Sequence, residues 1–115
     1  MSDEIQVPVP GLHKRLRVRT TPSWRRQAEG LVKPRELRGS CGLWIKSCRA
    51  VHTVGMMHAI DVIFLRADGV VAKVVPGLKP WRLASCKEAH TTLELRAGWA
   101  RKLNLAPGVP LELLA

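Results

Sequence analysis

The chain has 115 residues, of which 46% are apolar, and its formal net charge is +10. That length fits one domain with a single hydrophobic core, so neither disulfides nor a structural metal are needed to explain folding. No apolar run approaches the roughly 18 residues of a membrane-spanning helix. The first four residues include two acids and start no apolar stretch, so we expect no signal peptide and a cytoplasmic location. Three cysteines, an odd number, agree with a reducing compartment.

The positive charge is concentrated in the first half of the chain. Residues 13–49 contain 11 lysines and arginines against two glutamates, a net of +9, whereas the remainder has 8 basic and 7 acidic residues, a net of +1. Such a one-sided charge indicates either an anionic partner (nucleic acid, acidic protein or lipid surface) or a surface that serves solubility alone. The candidate anion-binding residues are Arg15, Arg17, Arg19, Arg25, Arg26, Lys33, Arg35 and Arg38.

The N-terminal third is predicted to hold a tail, a strand and a helix. Residues 1–11 show no periodicity and contain two prolines, which indicates a flexible tail. Residues 12–18 alternate apolar and cationic side chains, which is typical of a strand near a sheet edge. A Thr-Pro pair at residues 21–22 suits a helix start and Gly30 suits a helix end, so a short helix is predicted between them.

The remaining two thirds of the chain is predicted to be mostly β. Alternation over residues 43–46 indicates a strand, and the apolar residues 60–65 and 70–75 flank an Ala-Asp-Gly turn, which predicts a β-hairpin. Further predicted elements are a loop over 76–80, a strand over 91–95, a short helix over 97–103 and a last strand over 109–114. Residues 12–115 are therefore expected to form a single α+β domain, mostly antiparallel β, with a compact barrel-like sheet and two short helices.

Five segments of the chain carry a family resemblance. They are Val51-His52-Thr53-Val54-Gly55-Met56, Ile60-Asp61-Val62-Ile63-Phe64-Leu65, Asp68-Gly69, Leu78-Lys79-Pro80-Trp81-Arg82 and Leu93-Glu94-Leu95-Arg96-Ala97-Gly98. Together they resemble the domain of unknown function 192 family, also called uncharacterised protein family 0127, over roughly residues 17–113. The resemblance implies a compact, mostly β, barrel-like α+β fold and implies no activity. The chain departs from the family pattern at Arg96, where proline is usual, and at Gly108-Val109, where Gly-Asp is usual.

Asp61 is the first candidate for a functional site, because it lies within an apolar strand. A carboxylate there needs a hydrogen-bonded partner, exposure at the strand end, or a proton. The alternative is a purely structural acid that fixes the fold. His52 and Thr53 lie just upstream. The histidine serves either as a base or as a hydrogen-bond donor to an anionic ligand, or else as a hydrogen-bonded core residue.

A second candidate is the turn that presents Trp81 between Lys79 and Arg82. Arg82 has the geometry to bind a phosphate or carboxylate bidentately while Trp81 covers the ligand. The alternative is that Trp81 anchors the loop by burial and the two cations are solvated. Loops hold functional residues more often than strands do, which favours the binding role.

No metal or cofactor is expected. Cys48 with His52, and Cys86 with His90, have zinc-like spacing, but positions i and i+4 of an extended strand lie about 13 Å apart, too far to share one ion. The sequence also has no glycine-rich phosphate loop, serine elbow or paired-carboxylate motif.

We therefore expect a non-catalytic binding or interaction module with a polar pocket near His52, Asp61 and Arg82, lined also by Thr53 and Trp81. One alternative is a nucleic-acid-associated module that uses the basic residues 13–49. The other is an unrecognised hydrolase-like enzyme, with Asp61 or His52 as base and Arg82 stabilising an anion. Enzymatic activity is left open, with the non-enzymatic hypothesis favoured.

Overall fold

The computed structural model describes residues 4–11, 15–22 and 41–111. The described residues form eight strands and one short helix. They are β1 (Glu4–Pro8), β2 (Arg15–Pro22), β3 (Cys41–Lys46), β4 (Ala50–His52), β5 (Ile60–Leu65), β6 (Val71–Leu78), β7 (Leu83–Ser85), β8 (Thr91–Arg96) and α1 (Trp99–Lys102). No helix among them is long and apolar enough to cross a membrane.

Six of the strands form one sheet in the order β1-β2-β3-β8-β5-β6, and β4 and β7 form a separate two-stranded sheet. Every pairing is antiparallel except that between β2 and β3. The prediction of a mostly antiparallel β fold is therefore confirmed. The larger sheet is open, with β1 and β6 as its outer strands, so the expected closed, barrel-like sheet is not found in the described part of the chain.

One of the two predicted helices is confirmed. The second prediction, over residues 97–103, corresponds to α1, which has four residues. The first, over residues 21–30, lies outside the described residues except at positions 21–22, and there the chain continues β2 as a strand. The Thr-Pro pair that resembled a helix cap therefore ends a strand.

The expected flexible tail over residues 1–11 is wrong for residues 4–8. These residues form β1, which pairs antiparallel with β2 so that Val7 lies opposite Leu16. Val7 and Val9 are buried in the core, which explains why the segment is held against the sheet. Prolines do not prevent this pairing, because an outer strand needs hydrogen bonds on one side only.

The alternation predicted for β2 is confirmed. Leu16 and Val18 are buried, whereas Arg15, Arg17 and Arg19 are exposed. The predicted hairpin is also confirmed as β5 and β6. However, β6 continues to Leu78 where a loop was predicted. The predicted last strand is reduced, within the described residues, to one bridge between Val70 and Pro110.

Apolar side chains pack against both faces of the large sheet. On one face, Trp44, Ile63 and Leu95 pack with the N-terminal strands and with Ala100 of α1. On the other face, Val62 and Phe64 pack with other strand residues and with the β4–β7 pair, which adds Val51 and Ala84. Because β5 and β8 are central and covered on both faces, nearly all of their side chains are buried.

Candidate functional site

Asp61 is a buried structural carboxylate, with 1% of its surface exposed. Its Oδ1 accepts a hydrogen bond from the backbone N–H of Gly77 at 2.9 Å. Its Oδ2 accepts two more, from Gly98 at 3.0 Å and Ala100 at 2.9 Å. Three charge-assisted bonds of this kind satisfy the carboxylate, so its geometry matches the structural alternative. Asp61 connects the end of β6 to the start of α1.

Thr53 is fully buried and organises the turn over residues 79–82. Its hydroxyl donates to the carbonyl of Lys79 at 2.6 Å and accepts from the backbone N–H of Arg82 at 2.8 Å. Its own backbone N–H donates to the carbonyl of Arg82 at 2.9 Å, and its carbonyl accepts from Trp81 at 3.1 Å. One small side chain and its backbone therefore fix the path of the whole turn.

Trp81 is displayed on this turn rather than buried under it. Its backbone has a positive φ of 63°, a conformation that tryptophan rarely adopts, and 67% of its surface is exposed. Leu83 and Met57 are also exposed, at 72% and 73%. Burial of Trp81 as an anchor of the loop, the alternative considered from the sequence, is therefore wrong.

The backbone segments that carry these exposed apolar side chains lie next to each other. The carbonyl of Thr53 accepts hydrogen bonds from both Trp81 and Met56, the residue before Met57. Lys79 and Arg82 are exposed on either side of Trp81, and the Arg82 guanidinium donates to the carbonyl of Trp81 at 3.3 Å. We call this group the Trp81 surface; its members are Met57, Lys79, Trp81, Arg82 and Leu83.

His52 borders the Trp81 surface. It lies on β4 opposite Leu83 of β7, and its Nδ1 accepts from the backbone N–H of Val54 at 3.3 Å. Four of the predicted pocket residues, His52, Thr53, Trp81 and Arg82, are thus brought together. Asp61 is on the other face of the large sheet, so it does not share a pocket with them.

The exposed charges of the described residues are almost all positive. Thirteen lysines and arginines are exposed, against two exposed acids, Asp68 and Glu88. The thirteen cations are Arg15, Arg17, Arg19, Lys46, Arg49, Arg66, Lys73, Lys79, Arg82, Lys87, Arg96, Arg101 and Lys102. Eight of these follow residue 49, in a part of the chain whose net charge is only +3. The predicted anion-binding residues Arg25, Arg26, Lys33, Arg35 and Arg38 lie outside the described residues.

The net charge of residues 50–115, +3 from 8 basic and 5 acidic residues, understates their exposed positive charge because two of these acids are buried. Asp61 is one, and Glu94 of β8 is the other. Glu94 lies opposite Leu43 and Val62 in the centre of the sheet. In sequence, the Leu-Glu-Leu pattern suggests an outward-facing glutamate. No local pattern corrects this, because the burial of Glu94 follows from the central position of β8 between β3 and β5, which long-range pairing sets.

Both exposed acids have their charged forms stabilised by neighbours. The guanidinium of Arg66 donates to Asp68 at 3.2 Å and, with the backbone N–H of Val70, lowers the pKa of Asp68 to about 2. The same hydrogen bond raises the pKa of Arg66. The pKa of Glu88 is lowered by its own backbone N–H and by the Cys86 thiol.

Cys48 and Cys86 are buried thiols with local hydrogen bonds. The Cys48 Sγ donates to the carbonyl of Ala50 at 3.1 Å, and the Cys86 Sγ donates to Glu88 at 3.4 Å. Both are free of disulfides. Across residues 4–11, 15–22 and 41–111, no group of three or more histidines, cysteines and acids is placed to hold a metal ion.

Fold and surface together define a small β-rich domain with a cationic exterior. The chain belongs to the DUF192 family, described as "Uncharacterized ACR", whose model matches residues 6–113. This confirms the family resemblance read from the sequence. No curated protein matches the chain.

Two solved structures share the fold. One is a protein of unknown function from Novosphingobium aromaticivorans, with a TM-score of 0.78 and 21% identity; the match covers 96% of this chain and 85% of that chain. The other is a "putative transcription regulator" from Sinorhizobium meliloti, with a TM-score of 0.78 and 18% identity, covering 97% and 93%. At these identities the likeness concerns the fold.

Proposed function

We propose that this DUF192 domain is a non-catalytic binding module that contacts its partner through the Trp81 surface. The observation that carries the proposal is the exposure of Trp81 on a turn fixed by the buried Thr53. Aromatic residues and arginine are enriched at the centres of binding interfaces. A turn held by four hydrogen bonds presents them without an ordering cost on binding.

The composition of the Trp81 surface suits a partner with both apolar and anionic groups. Trp81, Leu83 and Met57 supply apolar area, and Lys79 and Arg82 supply positive charge. Residues 69–87 contain no acid, so no carboxylate within this stretch competes for the two cations.

We propose no catalytic step for Asp61. A general base must have an oxygen available to accept a proton from substrate. The carboxylate of Asp61 is 1% exposed and accepts three backbone N–H bonds. The hydrolase hypothesis used Asp61 or His52 as the base and Arg82 to stabilise an anion, and Asp61 lies on the other face of the sheet from His52 and Arg82. The binding role is therefore favoured over the enzymatic one.

The test is calorimetric titration of the full chain with three probes, inorganic pyrophosphate, polyglutamate and an oligothymidylate. At least one probe should bind, and both Trp81→Ala and Arg82→Gln should weaken that binding. Lys46→Gln removes one exposed charge at the opposite end of the sheet and is the matched control. If no probe binds, or if all three variants weaken binding equally, the Trp81 surface is not the binding site.

A further inference from the structure

Two cationic segments leave the same end of the large sheet. Strand β8 ends at Arg96 and strand β6 ends at Leu78, and both of these residues lie opposite Ile60, the first residue of β5. Neighbouring strands are about 4.8 Å apart, so the backbones of Arg96 and Leu78 are separated by about 10 Å. The turn over residues 79–82 therefore begins beside the segment over residues 96–102.

The buried carboxylate of Asp61 fixes these two segments relative to each other. One oxygen holds Gly77, just before the turn, and the other holds Gly98 and Ala100, at the start of α1. A single side chain thus sets the spacing between the two groups of exposed cations. This gives Asp61 a positioning role for a surface that it does not itself reach.

The two segments that leave this end of the sheet carry Trp81 and five exposed cations. Lys79 and Arg82 belong to the turn, and Arg96, Arg101 and Lys102 belong to the second segment. Lys102 also lies over the Trp99 ring, with its Nζ 4.7 Å from the centroid. We call the Trp81 surface together with Arg96, Arg101 and Lys102 the sheet-end surface. Residues 77–82 and 96–102 contain no acid, so the charge is not neutralised within either segment.

We propose that the sheet-end surface binds single-stranded nucleic acid, with Trp81 stacking on a base and the five cations contacting phosphates. This inference rests on the proposed binding role of the Trp81 surface and names its partner. Single strands combine regularly spaced negative charge with unpaired bases that stack on aromatic rings, which is the chemistry of this surface. An acidic peptide supplies the charge but leaves Trp81 without a comparable stacking partner.

The location differs from that expected from the sequence alone. The basic residues 13–49 suggested the first half of the chain as the nucleic-acid surface. The sheet-end surface is built from residues after 49, whose 8 basic and 5 acidic residues give a net charge of only +3. This value understates their exposed positive charge, because Asp61 and Glu94 are buried. Since every base has an aromatic face, stacking on Trp81 predicts little preference among sequences.

The experiment measures fluorescence anisotropy of a labelled oligothymidylate of about 12 nucleotides, a length within the usual site size for single-strand binding. The full chain is titrated at salt concentrations from about 50 to 200 mM. Polyglutamate and anionic phospholipid vesicles are used as competitors. The variants are Trp81→Leu, Trp81→Phe and the double variant Lys79→Gln/Arg82→Gln, and Lys46→Gln is a single-charge control at the other end of the sheet. Thermal unfolding of each variant checks that it is folded.

The inference predicts that Trp81→Leu weakens oligothymidylate binding about tenfold, whereas Trp81→Phe keeps most of the affinity because it keeps a ring. Each lost phosphate contact should reduce the slope of log K against log salt by about 0.7, so the double variant should reduce it by about 1.4. Lys46→Gln should change neither quantity.

Two results would overturn the inference. In the first, Trp81→Leu and the double variant bind the oligothymidylate as the wild type does; the sheet end then makes no contact with nucleic acid. In the second, polyglutamate or vesicles displace the oligothymidylate at the same concentration of negative charge, and Trp81→Leu weakens their binding as much as it weakens oligothymidylate binding. The partner would then be acidic protein or membrane lipid, and the Trp81 surface would remain the binding site. The titrations with pyrophosphate, polyglutamate and oligothymidylate distinguish this result from failure of the binding role, because in that failure none of the three probes binds through Trp81 and Arg82.

Discussion

At the scale of single residues, the candidate surface depends on two buried polar side chains that never reach it. Thr53 holds the turn that displays Trp81, and Asp61 holds the segments on either side of the sheet end. Each contributes more to the stability of the fold than a typical surface group does, because a buried polar group that loses its partners incurs the full desolvation cost. Their substitution should therefore affect both stability and the presented surface.

Replacing Thr53 with valine should destabilise the protein by about 1–3 kcal/mol. Valine has a similar shape but removes the hydroxyl, which leaves the Arg82 N–H and the Lys79 carbonyl without their bonds to it. Urea unfolding measures the free energy, and hydrogen exchange at the Arg82 amide should accelerate. Thr53→Ser keeps the hydroxyl and is the control. Equal stability of the valine and serine variants would contradict the assigned role.

Replacing Asp61 with asparagine should destabilise the protein by about 2–4 kcal/mol. The amide retains one acceptor oxygen but directs an NH₂ group at one of the backbone N–H donors, so at least one bond of the three is lost. Chemical denaturation measures the change, and Lys46→Gln is the surface control. A change below about 0.5 kcal/mol, the size expected for an ordinary surface substitution, would show that the three bonds do not stabilise the fold.

Asp68 should titrate near pH 2, well below its ordinary value of 3.8. The bond from Arg66 stabilises the charged carboxylate in the folded state only, so the pair contributes stability above pH 3.8 that is lost as the pH falls through about 2. Carboxyl chemical shifts followed by NMR give the midpoint. Arg66→Gln should move the midpoint up toward 3.8. An unchanged midpoint in that variant would remove Arg66 as the cause.

At the scale of elements, β1 decides whether the N-terminal segment is part of the fold. Val7→Ala should destabilise the protein by about 1–3 kcal/mol, because a fully buried side chain loses two carbons and leaves a cavity. The neighbouring Gln6 is exposed, so Gln6→Ala should change stability by less than about 0.5 kcal/mol. Thermal denaturation of both variants gives the comparison. Equal stability changes in the two variants would indicate that residues 4–8 do not pack against the sheet.

The elements that the sequence predicted are those with a local signal. Alternation marks β2 and β3, and the Ala-Asp-Gly turn marks the β5–β6 hairpin. The elements that it missed depend on distant partners. Strand β7 is three residues long and pairs with β4, about thirty positions earlier. Strand β1 ends at Pro8, a residue that a central strand would exclude. Order of strands in the sheet is likewise absent from any local pattern.

The candidate site shows the same division. The sequence indicated Trp81 and Arg82 from their place in a turn, and the structure displays both on its surface. It also grouped Asp61 with His52 and Arg82, because polar residues recur at the ends of the predicted elements. Side chains alternate between the two faces along β5, so the Asp61 side chain lies on the other face of the sheet. Its hydrogen bonds to Gly98 and Ala100, which only the three-dimensional structure reveals, explain its role.

At the scale of the whole molecule, burial determines the electrostatic surface. The described residues expose 13 cations and two acids, because two further acids are internal. A field of one sign steers anionic partners toward the protein and makes their binding dependent on salt. Charge alone does not select a position on such a surface. The exposed Trp81 ring distinguishes the sheet end from the rest of the cationic surface.

The decisive test of the sheet-end surface is a two-dimensional NMR titration of the isotope-labelled full chain with oligothymidylate. Binding at the sheet end predicts that chemical-shift changes concentrate in residues 79–83 and 96–102 and in the indole N–H of Trp81, while the indole signal of the buried Trp44 is unchanged. Shift changes centred instead on the exposed arginines of β2, or spread evenly over all the cations, would contradict a binding surface at the sheet end.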